Sequence, residues 1–302
     1  MQSQTISPAM FVITRFYNSL ICEINLVWQF IRRDFSSAIM PSFLFSTAAW
    51  KNSALPFSEL LLVLGRSGLY FLLSILSFCI ANQIAGIEED RINKPSRPLV
   101  SGAVSLRGAF IRWVFNMVAF SLVGWSFGIL KWALLWQVFI ILNNFAGWDK
   151  HWFTKNLVVG IAALIQAAAA WQIVTPITPV VWNWVLMVGG AWTTLVAVQD
   201  FRDLEGDRAI GRKTFPMVFG ATASRVTHSV GFVLLPFVTH IVLMRPAGNT
   251  LNVWLCDVAL ALLSWIIAAR VIFYRNPQAD HQTYILFTFW FCLVLGSAIV
   301  VL

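Results

Sequence analysis

Two short segments hold most of the side chains that could do chemistry. One is NQIAGIEEDRINKPSRP, Asn82 to Pro98; the other is QDFRDLEGDRAIGRK, Gln199 to Lys213. Of the 13 Asp and Glu in the chain, Glu88, Glu89, Asp90, Asp200, Asp203, Glu205 and Asp207 lie in these two segments. Carboxylates crowded together repel one another and are driven to protonate unless positive charge lies between them. A hard divalent cation meets that need: Mg2+ takes oxygen ligands and is commonly held by one or two carboxylates together with substrate phosphates. The bases that trail the acids, Lys94 and Arg97 in one segment and Arg212 and Lys213 in the other, would face the remaining phosphate charge.

If the preceding helix continues through the second segment, Asp200, Asp203 and Asp207 fall at i, i+3 and i+7 on one face, and Glu205 points elsewhere. In the first segment Asn82, Glu89 and Asp90 share a side, whereas Glu88 is opposite and is expected to pair with a loop base. The expected metal ligands are therefore Asn82, Glu89, Asp90, Asp200, Asp203 and Asp207, with Asp90, Asp200 and Asp203 carrying the chemistry. A solvated acidic loop that pairs with its own arginines is the bland alternative. Two such clusters, each followed by Lys and Arg, make it the poorer account.

The elements that must position these segments are apolar helices. The chain has 302 residues, 59% hydrophobic and 11% charged, where soluble domains carry about a quarter charged residues. This composition excludes an ordinary soluble enzyme. With about twenty apolar residues per crossing, nine spans are expected, near residues 35–52, 59–83, 105–127, 129–148, 156–175, 180–200, 224–244, 252–273 and 283–302. Residues 15–33 read as an amphipathic helix at the membrane interface. The organisation expected is a polar segment and interfacial helix over 1–34, then one all-α transmembrane catalytic domain over 35–302. The amino-terminal residues lack the pattern of a secretory signal, so insertion is expected to rely on internal spans.

Of the 21 Lys and Arg, all but Lys51, Arg66, Lys131 and Arg245 fall on the amino-terminal side of that arrangement. The bias predicts a cytosolic amino terminus and cytosolic acid-and-base loops. It also accounts for the formal charge of +8 without nucleic acid, which is not expected as a partner. Cys22, Cys79, Cys256 and Cys292 show no metal-ligand spacing and read as small packing residues. The order acids, Lys/Arg, Pro, Gly recurs after the second and sixth expected spans, as in an internal parallel repeat with a site between its halves.

At these residues the sequence resembles the UbiA-type intramembrane prenyltransferase superfamily. The resemblance implies nine transmembrane helices around a central cavity, with Asp-rich motifs after helices 2 and 6 that bind an isoprenyl diphosphate through Mg2+. The second motif, DxxDxxxD, is present as Asp200, Asp203 and Asp207, and GRKTFPMVFG resembles its usual continuation. In the first motif Asn82 and Asp90 match, but Gln83 and Gly86 stand where ordinary members keep aspartate. That pattern, with GWDKHWFTKN after the fourth span, resembles a fungal branch of membrane-bound terpene cyclases. The resemblance implies a cyclase of secondary metabolism, farnesyl diphosphate as favoured substrate, Lys155 as a further diphosphate contact, and the endoplasmic reticulum as its membrane. Transfer of the prenyl group to an aromatic or lipid acceptor is the second reading, and a transporter or scaffold the third. Partners beyond the prenyl diphosphate and the bilayer are not evident.

A carbocation needs a dry cavity and aromatic faces, and the chain has 25 Phe, 15 Trp and 4 Tyr. Membrane proteins use the same residues at interfaces, so Trp171, Trp192 and Trp290 are not assigned to the site. Asn143 and Asn144, adjacent amides in an apolar helix, are expected to face a partner helix or a cavity. Asp149 and His151 are expected to shape a loop, and His228, His240 and His281 to be structural.

Overall fold

The computed structural model describes residues 8–209 and 211–302, so the polar segment expected at the amino terminus lies, for residues 1–7, outside the described residues. The first helix, α1 (Pro8–Ile31), starts earlier than the expected interfacial helix. Leu20, Ile21, Ile24 and Trp28 are exposed along it, and Leu26, Phe30 and Ile31 are buried.

Every expected span falls on a helix: α2 (Phe35–Asn52), α3 (Phe57–Ala85), then, after the short α4 (Ile87–Asn93), α5 (Leu106–Ser126), α6 (Leu130–Phe145), α7 (Trp152–Gln172) and α8 (Pro179–Leu195). Two short helices, α9 (Leu204–Ala209) and α10 (Phe215–Phe219), lead to α11 (Ala221–Thr239), α12 (Leu251–Phe273) and α13 (Pro277–Val301). Among the described residues seven helical segments are long and apolar enough to cross a membrane: α3, α5, α7, α12, α13, α8 with its 3-10 extension to Phe201, and α11 with its extension to Ala247. The apolar α6 is shorter, and α2, interrupted by Ser36, Ser37, Ser42 and Ser46, does not reach the same hydropathy. The protein is an all-helical integral membrane protein.

Local chemistry sets the helix starts. Ser105, Thr178, Thr250 and Asn276 accept bonds from the backbone N–H groups of Gly108, Val181, Val253 and Ala279, satisfying donors that a helix leaves orphaned. Pro179 and Pro277 follow two of these caps, where a missing N–H costs nothing.

Neighbouring helices pack in chain order, with α13 returning onto α2, and α2 also crossing α7. Between two apolar helices in lipid the attraction comes from close fit and hydrogen bonds, not from the expulsion of water. The α7–α8 seam shows the close fit: a Cβ at Gly160 would overlap the Thr193 side chain and the Gly189 carbonyl. Bonds from Ser46 to Ser67 (3.0 Å) and to the Ala170 carbonyl (2.9 Å) tie α2 to α3 and α7. Asn116 joins α5 to α3 through the Leu73 carbonyl and Ser77 Oγ, at 2.9 and 2.7 Å.

The segments after α3, α6 and α8 meet at one end of this bundle. At the other end Lys51 Nζ donates to the Ile299 carbonyl.

Candidate active site

Neither acidic segment is a continuation of its helix. α3 stops at Ala85, and α4 restarts beyond Gly86, which has φ −100° and ψ 21°. A Cβ at Gly86 would press to 3.0 Å on the Asn82 carbonyl, so the smallest residue suits this break. Asn82 therefore comes from a long helix, and Glu89 and Asp90 from a separate short one. In the second segment α8 ends at Leu195, Val196–Phe201 forms a 3-10 turn, and α9 follows. The single face expected for Asp200, Asp203 and Asp207 is thus replaced by three local environments, because the tighter turn changes the angular step per residue.

In the first segment the acids meet their own bases. Asp90 is buried; its Oδ2 accepts from Arg97 Nη1 at 2.6 Å and its Oδ1 stands 3.9 Å from Lys94 Nζ. Asn82 Oδ1 accepts from the same Arg97 nitrogen at 3.1 Å, and Asn82 Nδ2 donates to Asn144 Oδ1 at 3.3 Å. Burial pushes the Asp90 carboxyl above its ordinary range despite Arg97 and Lys94. Burial, helped by Arg97, lowers Lys94. Glu88 is exposed and pairs with Arg91 at 2.9 Å, a base within α4 and not the loop base expected for it.

The second segment reaches outward. Asp200 is fully buried and accepts from Lys155 Nζ of α7 at 2.6 Å. Arg212 joins three segments: its Nη2 lies 2.9 Å from Glu89 and 2.8 Å from Asp149, and its Nη1 lies 3.3 Å from Asp207. Asp149, expected only to shape a loop, lines the cavity beneath. Burial raises Asp207 above the usual carboxylate range, with Lys155 and Arg212 opposing it. Asp203 is the outlying acid, held by Arg202 at 3.0 Å; Arg202 also meets His281 Nδ1 at 2.9 Å. Glu205 is exposed. Lys213 is exposed too and contributes through its backbone: its N–H donates to the Lys150 carbonyl and its carbonyl accepts from Trp152.

Below these charges lies a cavity of about 310 Å³. Asn82, Glu89, Lys94, Arg97, Lys155, Asp203 and Arg212 line its charged end; Tyr70, Phe71, Phe120 and Trp136 line its apolar end. From Asn82 to Tyr70 along α3 is about 18 Å of helical rise. Trp192 lines the cavity, while Trp171 and Trp290 are buried core residues outside that lining. Asn143 lines it as well, and Asn144 serves as the partner of Asn82.

Gln83, one of the two departures from the first motif, faces away from the cavity. It is buried and donates to the Phe30 carbonyl of α1 at 3.1 Å. An acid at that position would meet a carbonyl oxygen instead of a metal.

Among the described residues no three His, Cys, Asp or Glu side chains gather closely enough to hold a metal alone. The donor set nevertheless fits Mg2+, which rarely occupies an all-protein cage and completes its shell with phosphate and water. Buried oxygens Asp200 Oδ2 and Asp207 Oδ2 have no hydrogen-bond partner, and an acceptor left so is costly unless something positive meets it.

The arrangement defines a class: a helical membrane protein with paired acid-and-base segments over a cavity with an aromatic end. The UbiA prenyltransferase family model matches residues 39–293, and the chain belongs to that family. It is 44% identical over 277 residues to a somaliensene A/B synthase of Streptomyces somaliensis, covering 92% of this chain and 93% of that protein. A diterpene cyclase of Hericium erinaceus is 34% identical over 284 residues, covering 91% and 87%. A fumagillin beta-trans-bergamotene synthase of Aspergillus fumigatus is 28% identical, covering 68% and 70%. The resemblance to terpene cyclases is therefore not confined to fungi. A UbiA homolog from Archaeoglobus fulgidus, solved bound to GPP and Mg2+, shares the fold with a TM-score of 0.67 at 14% identity, covering 91% of this chain and 99% of that one.

Proposed function

We propose that the protein is a Mg2+-dependent, membrane-bound terpene cyclase that ionises a prenyl diphosphate and closes the resulting cation into rings. The observation that carries this reading is the joining of the two acidic segments by Arg212 directly over a cavity with an aromatic end. Lys94, Arg97, Lys155 and Arg212 would bind the diphosphate, their fixed positive charge being in position before the C–O bond breaks. Mg2+ held by Asp90, Asp200 and Asp207, with Asn82, Glu89 and Asp203 in support, would supply Lewis-acid neutralisation of the leaving group. Phe71, Phe78, Phe120, Trp136 and Trp192 would exclude water and present π faces to the cation.

The family resemblance alone favoured farnesyl diphosphate. The diterpene cyclase is the more similar relative over more of the chain than the bergamotene synthase, which favours geranylgeranyl diphosphate. We further assign α2 and α6 as spans, giving nine, with α1 at the interface and the acid-and-base end on the cytosolic face of the endoplasmic reticulum or, in a bacterial cell, of the plasma membrane.

The test is acceptor-free. Membranes containing the protein, given geranylgeranyl or farnesyl diphosphate and Mg2+, should release cyclic hydrocarbon and pyrophosphate. If product forms only after a phenolic or lipid acceptor is added, the chain is a prenyltransferase.

A further inference from the structure

We infer that Asp34 is the base that removes the final proton from the cyclised cation, a role that rests on the cyclase reading above. Asp34 belongs to neither acidic segment. It stands where α1 hands over to α2, is half-buried, and lines the cavity.

The other carboxylates of that lining are already engaged: Glu89 and Asp149 with Arg212, and Asp203 with Arg202. Among the described residues Asp34 has no cation within ion-pair reach, and its carboxylate has one hydrogen-bond partner, the Cys79 thiol, 3.6 Å from Oδ2. A thiol is a weak donor, and it engages only one of the two carboxylate oxygens. Cys79 precedes Asn82 by three residues, which puts Asp34 about 4.5 Å farther along α3 from the charged end. That offset would set it beside the hydrocarbon chain of a substrate whose diphosphate meets the bases at the charged end. The rest of the lining offers aromatic rings, aliphatic side chains, amides, hydroxyls and cations, none of which takes a proton from carbon as readily as an unpaired carboxylate.

The step balances. A C–H bond next to the cationic carbon breaks, its electron pair becomes the alkene, and the proton moves to an Asp34 oxygen. Asp34 then passes that proton to the pyrophosphate released at the charged end, so the products are one neutral hydrocarbon and one protonated pyrophosphate. Before it takes the proton, the ionised carboxylate also draws the cation toward its wall of the cavity.

Asp34 occupies the N-cap position of α2 without making a side-chain cap bond, so the isosteric amide removes no helix cap. Membranes carrying the full chain with Asp34→Asn should keep the KM for geranylgeranyl diphosphate. They should release pyrophosphate within about threefold of the unaltered protein while the main hydrocarbon falls about tenfold or more, replaced by isomeric alkenes and water-quenched alcohols. Asp34→Glu should restore much of the original product. An unchanged product profile in Asp34→Asn overturns the assignment. So does parallel loss of hydrocarbon and pyrophosphate, which would put Asp34 in ionisation or in the fold. If the unaltered protein makes no hydrocarbon without an acceptor, the cyclase reading fails first and this role fails with it.

Discussion

The segments 82–98 and 199–213 look like two copies of one device, yet they are stabilised in different ways. The first closes on itself: Asp90 finds Arg97 and Lys94 within its own loop. The second adds distant partners to its own pairs, Arg212 with Asp207 and Arg202 with Asp203: Asp200 depends on Lys155 of α7, and Arg212 also meets Glu89 and Asp149. Similar spacing of acids and bases therefore does not fix how they pair. The buried acid of the first half, Asp90, is paired within its own loop, whereas Asp200 of the second is paired by tertiary packing.

Replacing Asp200 by Ala should give the largest effect. Turnover should fall about a hundredfold or more, and thermal unfolding in detergent should show a loss of about 3 kcal/mol because Lys155 is left buried and unpaired. Asp90→Ala should cost similar activity with a smaller loss of stability, since Arg97 keeps Asn82 as a partner. Equal destabilisation by the two variants would erase the contrast between the halves.

Arg212→Ala should come next, lowering turnover about a hundredfold, while Lys213→Ala, at an exposed neighbour, should change stability by no more than about 0.5 kcal/mol and leave most of the turnover. Steady-state kinetics on the pair measures how much of the clamp passes through one guanidinium.

Acidification should separate activity from stability. Asp207 is raised above the ordinary 3.8, so the stability it contributes is fully present below that value and lost as pH rises through the raised one. Asp207→Asn should therefore unfold at a higher temperature than the unaltered protein at neutral pH without Mg2+, and the gap should close as pH falls. Over the same range turnover of the unaltered protein should decline, since the ionised acids bind the metal. A gap that widens on acidification would reverse the sign. Smallest of all, Glu88→Ala removes an exposed pair and should shift stability by less than about 0.5 kcal/mol, with turnover unaltered.

Much of the site was legible because charge in an apolar chain is expensive and conspicuous. Glu89, Asp90, Lys94, Arg97, Asp200, Asp207 and Arg212 all converge at one end of the bundle, as does Lys155, which only the family resemblance suggested. The helical wheels misread the angles, because Gly86 breaks one helix and the 3-10 turn at Val196 tightens the other. Asp149 was read only as shaping a loop and Asp34 escaped notice, both being single acids at helix junctions. Arg225 was counted only as a flanking base, yet it forms a buried pair with Asp280 at 2.8 Å and lies over Phe201. Lone opposite charges in two apolar helices were the available signal for that brace.

Composition and periodicity alone determined that the chain is a helical membrane protein with two acid-and-base segments at one end, because burial in lipid dictates apolar runs and isolates every charge. Which acid meets which base was decided by tertiary structure. Pairing depends on where helices stop and on which neighbour brings Lys155, Asp149 or Arg225 within about 3 Å, a distance that no one-dimensional spacing encodes.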